Sequence, residues 1–121
     1  MTLAVGTVVI PQACIEAGTA VILGTVAGIG EGTSSDVLWE DGQLVQDVAD
    51  SELHVFWSVG DPAITHTYRP ACRAAAAGGA TAPGPDCVGV EVAHTATESV
   101  IRTLAGHRYH LYTSQLRYLD E

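Results

Sequence analysis

The chain has 121 residues, is 47% apolar, and carries 14 acidic against 5 basic side chains, a net charge of −9. That length holds one domain or two very small ones, and that charge disfavours a nucleic-acid backbone as partner. No apolar stretch reaches the roughly 20 residues of a membrane-crossing helix, and the apolar N-terminus lacks the positive leader of an export signal. No membrane partner is therefore expected, and a cytoplasmic or virion setting is.

In chain order, GTVVI at 6–10 predicts a short strand that Pro11 ends, since proline brings no N–H to a central ladder. TAVILGTVAGI at 19–29 is rich in β-branched residues, and Gly24 and Gly28 predict a bent or bulged strand. GIGEGTSS at 28–35 reads as loop. DVLWE at 36–40 and QLVQDV at 43–48 flank Asp41-Gly42, which predicts a hairpin with a tight primed turn and positive φ at both positions. ADSE at 49–52 predicts a one-turn corner, and LHVFWSV at 53–59 the returning strand.

ITHTYRP at 64–70 predicts a strand up to Tyr68, followed by a short helix at 70–77, with Pro70 in its first turn and Gly78 after its last. TAPGPD at 81–86 is loop. VGVEVAHT at 88–95 alternates as a strand, SVIRTL at 99–104 and RYHLY at 108–112 form a second hairpin across Ala105-Gly106, and QLRYL at 115–119 closes the chain. The hairpin, polar turn and short strand of 36–56 recur 63 residues later, with Val37 over Val100, Val48 over Leu111 and Leu53 over Leu116. Two readings of this echo stay open: an internal duplication, or two hairpins obeying the same physics. The expected organisation is a β unit at 1–60, a loop and short-helix insertion at 61–87, and a hairpin with C-terminal strand at 88–121. The last segment either completes the same domain or makes a second unit.

The order of strand, glycine-bearing bent strand, D-G hairpin, one-turn corner and short final strand resembles small SH3-like barrels. GTAVILGTVAGIG...DVLWEDGQLVQDVADSELHVF, residues 18–56, carries the resemblance, and 88–119 repeats it less completely. The resemblance implies an all-β fold, as a closed small barrel or a partly open antiparallel one. It also implies binding to peptides, nucleic acids or neighbouring subunits, some phage head and tail components being built on similar barrels. The paired tyrosines and acidic loop of the peptide-binding barrels do not stand in their expected places, and the basic surface of nucleic-acid-binding barrels is missing.

The chemistry-bearing residues are sparse. Cys14, Cys72 and Cys87 form no CxxC pair, which leaves three free thiols or a Cys72–Cys87 bridge across the intervening loop. The histidines are His54, His66, His94, His107 and His110. Residues three apart on a regular strand face opposite ways, so Glu91 and His94, like His107 and His110, are expected to diverge. No H-x-H pair, nucleophile elbow or phosphate loop is present, and the carboxylates Asp36, Glu40 and Asp41 read as a solvated turn. No catalytic residue and no cofactor is assigned. Trp39, Trp57, Tyr109, Tyr112 and Tyr118 are the candidate interface residues, because such rings combine apolar area with a polar atom. The function expected is a non-enzymatic structural or protein-interaction module that joins copies of itself or a larger complex. The alternative is a small β-barrel enzyme or metal-binding protein with a site at a subunit interface.

Overall fold

The computed structural model describes residues 3–61, 69–74, 88–103 and 106–118. Among the described residues the fold is all-β with one short α-helix, and the chain divides into two compact units. One comprises Met1–Ala13 and Ile22–Pro62, the other Cys14–Val21 and Ala63–Glu121.

The first unit is a five-stranded antiparallel sheet in the order β4-β3-β2-β1-β5. Its strands are β1 (Val8–Pro11), β2 (Gly24–Ile29), β3 (Ser34–Trp39), β4 (Leu44–Ala49) and β5 (Leu53–Trp57). Alternation sends Val26 and Val37 to the same buried face as cross-strand partners. There they meet Val9 and Leu53, with Leu3, Trp39 and Val48 packed around them. The buried Val9, Val26, Val37 and Leu53 each contribute about 1.5–3 kcal/mol by leaving water. A 3₁₀ turn at Asp50–Glu52 joins β4 to β5, as the polar corner predicts.

The D-G hairpin forms, but not through a two-residue primed turn. Trp39 N–H donates to the Gln43 carbonyl and Gly42 N–H to the Trp39 carbonyl, so three residues make the connection. Only Gly42 takes positive φ, at 91°. That is the three-residue loop in which a glycine supplies the single left-handed position. β4 also departs from simple alternation. Val37 faces Val45 and Ser35 faces Val48, so β4 carries one residue more than β3 between these pairs. Asp47 sits in this bulge with φ 55°, and its N–H donates to Asp36 Oδ1 at 3.1 Å. An aspartate tolerates the left-handed region better than the β-branched Val48 beside it.

The second unit repeats the plan in the order β10-β6-β7-β8-β9. Its strands are β6 (Arg69–Ala74), β7 (Gly89–His94), β8 (Glu98–Thr103), β9 (Arg108–Tyr112) and β10 (Leu116–Tyr118), with a 3₁₀ turn at Thr113–Gln115 before β10. Its apolar centre is Ile101, Leu111 and Leu116, with Tyr109 against them. The segment leading into β2 belongs here by contact, and Val21 N–H donates to the Arg108 carbonyl at 2.6 Å.

Three expectations are corrected. Within the insertion forecast at 61–87, residues 69–74 form β6, an inner strand paired to β7 and β10, which includes residues 70–74 of the helix forecast at 70–77. Pairing on both sides overrides the helical leaning of an alanine-rich run; residues 75–87 lie outside the described ones, as does the strand forecast at 64–68. The strand forecast at 19–29 starts only at Gly24. The one α-helix among the described residues is α1, Gln12–Ala17, where proline at position 11 immediately precedes the first helical turn. No ladder among the described residues joins β4 to β5 or β9 to β10, and two antiparallel sheets are the architecture established.

Candidate functional site

The second unit gathers the side chains with chemical potential. Its turn between β7 and β8 is closed by a reciprocal set of bonds around Thr95. Thr95 N–H donates to the Glu98 carbonyl at 2.7 Å, and Glu98 N–H donates to Thr95 Oγ1 at 3.0 Å. This fixes the start of β8 and the direction of the Glu98 side chain. Across the next hairpin, Glu98 faces Tyr112 and Val100 faces His110. Glu98, Val100 and His110 therefore share one face, with His110 diagonal to Glu98.

Glu98 Oε1 and His110 Nε2 lie 2.5 Å apart, and their side chains are 14% and 4% exposed. A carboxylate and an imidazole withdrawn from water to this degree cost free energy unless they satisfy each other. Here the two atoms are hydrogen-bonded to each other, the imidazole donating when Nε2 carries the proton. Tyr112 lies edge-on to the imidazole at 6.0 Å between ring centroids. An imidazole nitrogen and a carboxylate oxygen are each a ligand atom for a divalent cation.

A second such pair lies on the opposite face. β7 carries one residue more than β8 between the pairs Glu91–Ile101 and Ala93–Val100, the extra residue being Val92. This bulge turns His94 back to the face of Glu91. His94 Nδ1 stands 3.3 Å from Glu91 Oε1, with the Glu91 side chain only 1% exposed. The contact is a close polar approach rather than a formed hydrogen bond. The expectation that Glu91 and His94 diverge is thus overturned, because it assumed a regular strand.

In the first unit the carboxylates singled out in the sequence serve the backbone. Asp36 receives the Asp47 N–H, Glu40 receives the Leu23 N–H at 3.0 Å, and Asp41 receives the Gln43 N–H at 3.0 Å. Ser35 Oγ donates to Asp50 Oδ1 at 2.8 Å and ties β3 to the 3₁₀ corner. Such caps and turns are the ordinary use of short acidic side chains.

The candidate interface residues disperse. Trp39 packs against the first core, Trp57 is half-buried opposite Val8, and Tyr109 packs against the second core. Tyr112 is 57% exposed, while the side chain of Tyr118, on β10, lies outside the described ones. His54 is half-buried on β5 and His107 is exposed before β9; His66 lies outside the described residues. Of the proposed bridge, Cys87 and the Cys72 side chain are likewise outside, and Cys14 is a free thiol. No helix among the described residues is long and apolar enough to cross a membrane.

Glu98 and His110 escape a reading by motif because they are 12 residues apart and meet only through hairpin register. The available signal was the pairing itself: with the turn at Gly106, Val100 opposite His110 follows, and Glu98 is its neighbour on that face. No family model, no curated protein and no solved structure matches the chain.

Proposed function

We propose that the protein binds a divalent cation through its second unit, with Glu98 and His110 as two of the ligands. The observation that carries this reading is the convergence of a carboxylate oxygen and an imidazole nitrogen at 2.5 Å. The ion takes the place of the proton the two atoms share. Ligand atoms around a tetrahedral zinc lie about 3.3 Å apart, so the pair opens by under about an ångström. Nitrogen with oxygen donors suits zinc, manganese or iron(II) better than a soft-metal site. Two ligands leave coordination positions to be filled by water or further donors, which keeps hydrolytic chemistry open. In such a reaction the metal lowers the pKa of its bound water.

The test is isothermal titration of the full chain with Zn²⁺ and Mn²⁺, repeated on Glu98→Gln and His110→Ala. A measurable affinity that falls at least about tenfold in each variant is expected. Alanine replacement of the other histidines in turn identifies any further ligand. No heat of binding from the unmodified chain, or binding indifferent to both substitutions, overturns the proposal.

A second reading, an interaction module, has its own support. Leu38 and Leu44 are cross-strand partners on the β3–β4 hairpin, yet they are 46% and 53% exposed. An apolar pair left in water next to an edge strand favours coverage by a neighbour. The SH3-like resemblance, supported by the 3₁₀ corner before a short last strand, points the same way, towards subunits of an assembly such as a phage head or tail. Light scattering after size exclusion decides it: a stable monomer at high concentration removes self-assembly.

A further inference from the structure

Charge divides along the units. All five cationic side chains, Arg69, Arg73, Arg102, Arg108 and Arg117, belong to the second unit, together with six of the 14 acidic ones. The first unit carries the other eight acids and no lysine or arginine. On the β3–β4 hairpin these acids frame an apolar spot. Asp36 shares the outer face of β3 with Leu38 by alternation. Glu40 and Asp41 are exposed at the turn end, and Asp47 is exposed in the bulge at the other. Between the two ends stand Leu38, Leu44 and Val45, all exposed.

β4 is also an edge. Among the described residues it pairs with β3 alone, at the end of the sheet. Trp39 N–H donates to the Gln43 carbonyl, so the alternation of an antiparallel ladder turns the N–H and C=O groups of Leu44 and Gln46 outward. The strand LVQDVA contains neither lysine nor proline to guard that edge. The bulge at Asp47 guards it in part, and limits the straight stretch to Leu44–Gln46. Val45 lies opposite buried Val37 yet is itself exposed. A strand added beside β4 would cover Val45 on one face and Leu44 on the other, and would take up the outward backbone groups.

We infer that β4 is the docking edge for an extended segment of another protein, one with an apolar centre and lysine or arginine on both sides of it. This rests on the interaction reading and is independent of the cation site. Charge selects the occupant. Carboxylates stand at both ends of the apolar spot in a unit without cations, so a basic segment is drawn to it and fixed in register. A second copy docking through the same edge sets one acidic unit against another, and a nucleic acid or an anionic lipid surface adds charge of the same sign. The carboxylates are already positioned: Asp36, Glu40 and Asp41 each accept a backbone N–H. Those bonds orient the side chains and leave their charge in place.

The test titrates the full chain, labelled with nitrogen-15, with three heptapeptides. Each has a Val-Thr-Val centre, flanked on both sides by two lysines, two serines or two glutamates. The lysine peptide is expected to shift the amide resonances of Leu44, Val45 and Gln46. It should bind at least about tenfold more tightly than the serine peptide and weaken as salt rises, while the glutamate peptide does not bind. A Val-Pro-Val centre, which cannot complete the ladder, should weaken the lysine peptide. Asp41→Asn/Asp47→Asn keeps the turn and the bulge, since asparagine accepts the same bonds and tolerates positive φ; it should lower lysine-peptide affinity at least about threefold. Leu44→Lys should abolish binding. Equal affinity for the three peptides, or no shift at Leu44–Gln46, overturns the inference. If light scattering instead finds an oligomer of the unmodified chain that Leu44→Lys dissociates, a second copy covers the edge: the inference falls and the interaction reading stands. A monomer that binds none of the peptides defeats both.

Discussion

Gly89 gives the sharpest stability prediction. A Cβ placed there would lie 2.6 Å from the carbonyl oxygen of Arg102 and 3.0 Å from its carbon. Ordinary contact begins near 3.4 Å, so the two strands must separate by about 0.8 Å in a packed sheet that resists it. The offending atom is backbone, with no rotamer to escape into. Overpacking of this kind costs about 1–3 kcal/mol, and the upper end applies. The conformational gain of alanine over glycine in a strand returns about 0.5–1 kcal/mol. Gly89→Ala should therefore lose about 2 kcal/mol. At about 4 °C per kcal/mol for a chain of this size, the melting temperature falls by about 8 °C. On β2, Gly24 meets side chains instead, Trp39 Cε3 at 2.5 Å and Val37 Cγ1 at 2.6 Å, which can shift in part, so Gly24→Ala should lose about 1 kcal/mol. Gly32→Ala is the control: it meets nothing within 4 Å and pays only for its φ of 69°, about 1 kcal/mol. Urea unfolding followed by circular dichroism at constant m measures all three. If Gly89→Ala unfolds at or above the concentration needed for the unmodified chain, the close β7–β8 approach, and with it this register, is wrong.

Three further outcomes follow from the same geometry. Ser35→Ala removes the bond to Asp50 and leaves a partly buried carboxylate oxygen short of a donor, so it should cost about 1–2 kcal/mol in urea unfolding; no loss would show the corner is held otherwise. Ile101→Ala empties a fully buried position of the second core and should cost about 2–5 kcal/mol, read by the same assay; a loss below about 1 kcal/mol would mean the core is not closed there. Cation affinity should weaken as pH falls, because protons compete for Glu98 and His110; titration calorimetry over a pH series checks this, and a flat profile argues against an imidazole ligand.

Most elements could be read from the sequence because they depend on local rules. The β3–β4 and β8–β9 hairpins announce themselves through alternation and a glycine, and the polar corner at 50–52 through its composition. β6 could not be read that way: PACRAAAA carries the composition of a helix, and only partners on both sides make residues 69–74 a strand. The echo was visible at an offset of 63 residues, which fits Asp50 with Thr113 and Leu53 with Leu116. It misaligned β3, whose Val37 corresponds to Ile101 rather than Val100. The cause is one residue, since β4 has a bulge at Asp47 that β9 lacks, and the positions of β3 and of the turn at Gly42 shift from 63 to 64. The same class of irregularity hid the chemistry. Glu91 and His94 are three apart and belong on opposite faces of a regular strand, until the extra Val92 reverses the second of them. A bulge is a choice between two ladder hydrogen-bonding patterns that differ little locally, so it is settled by what both strands must bury. The placement of ionisable groups in this protein depends on such choices, which is why its frame is more legible in the sequence than its site.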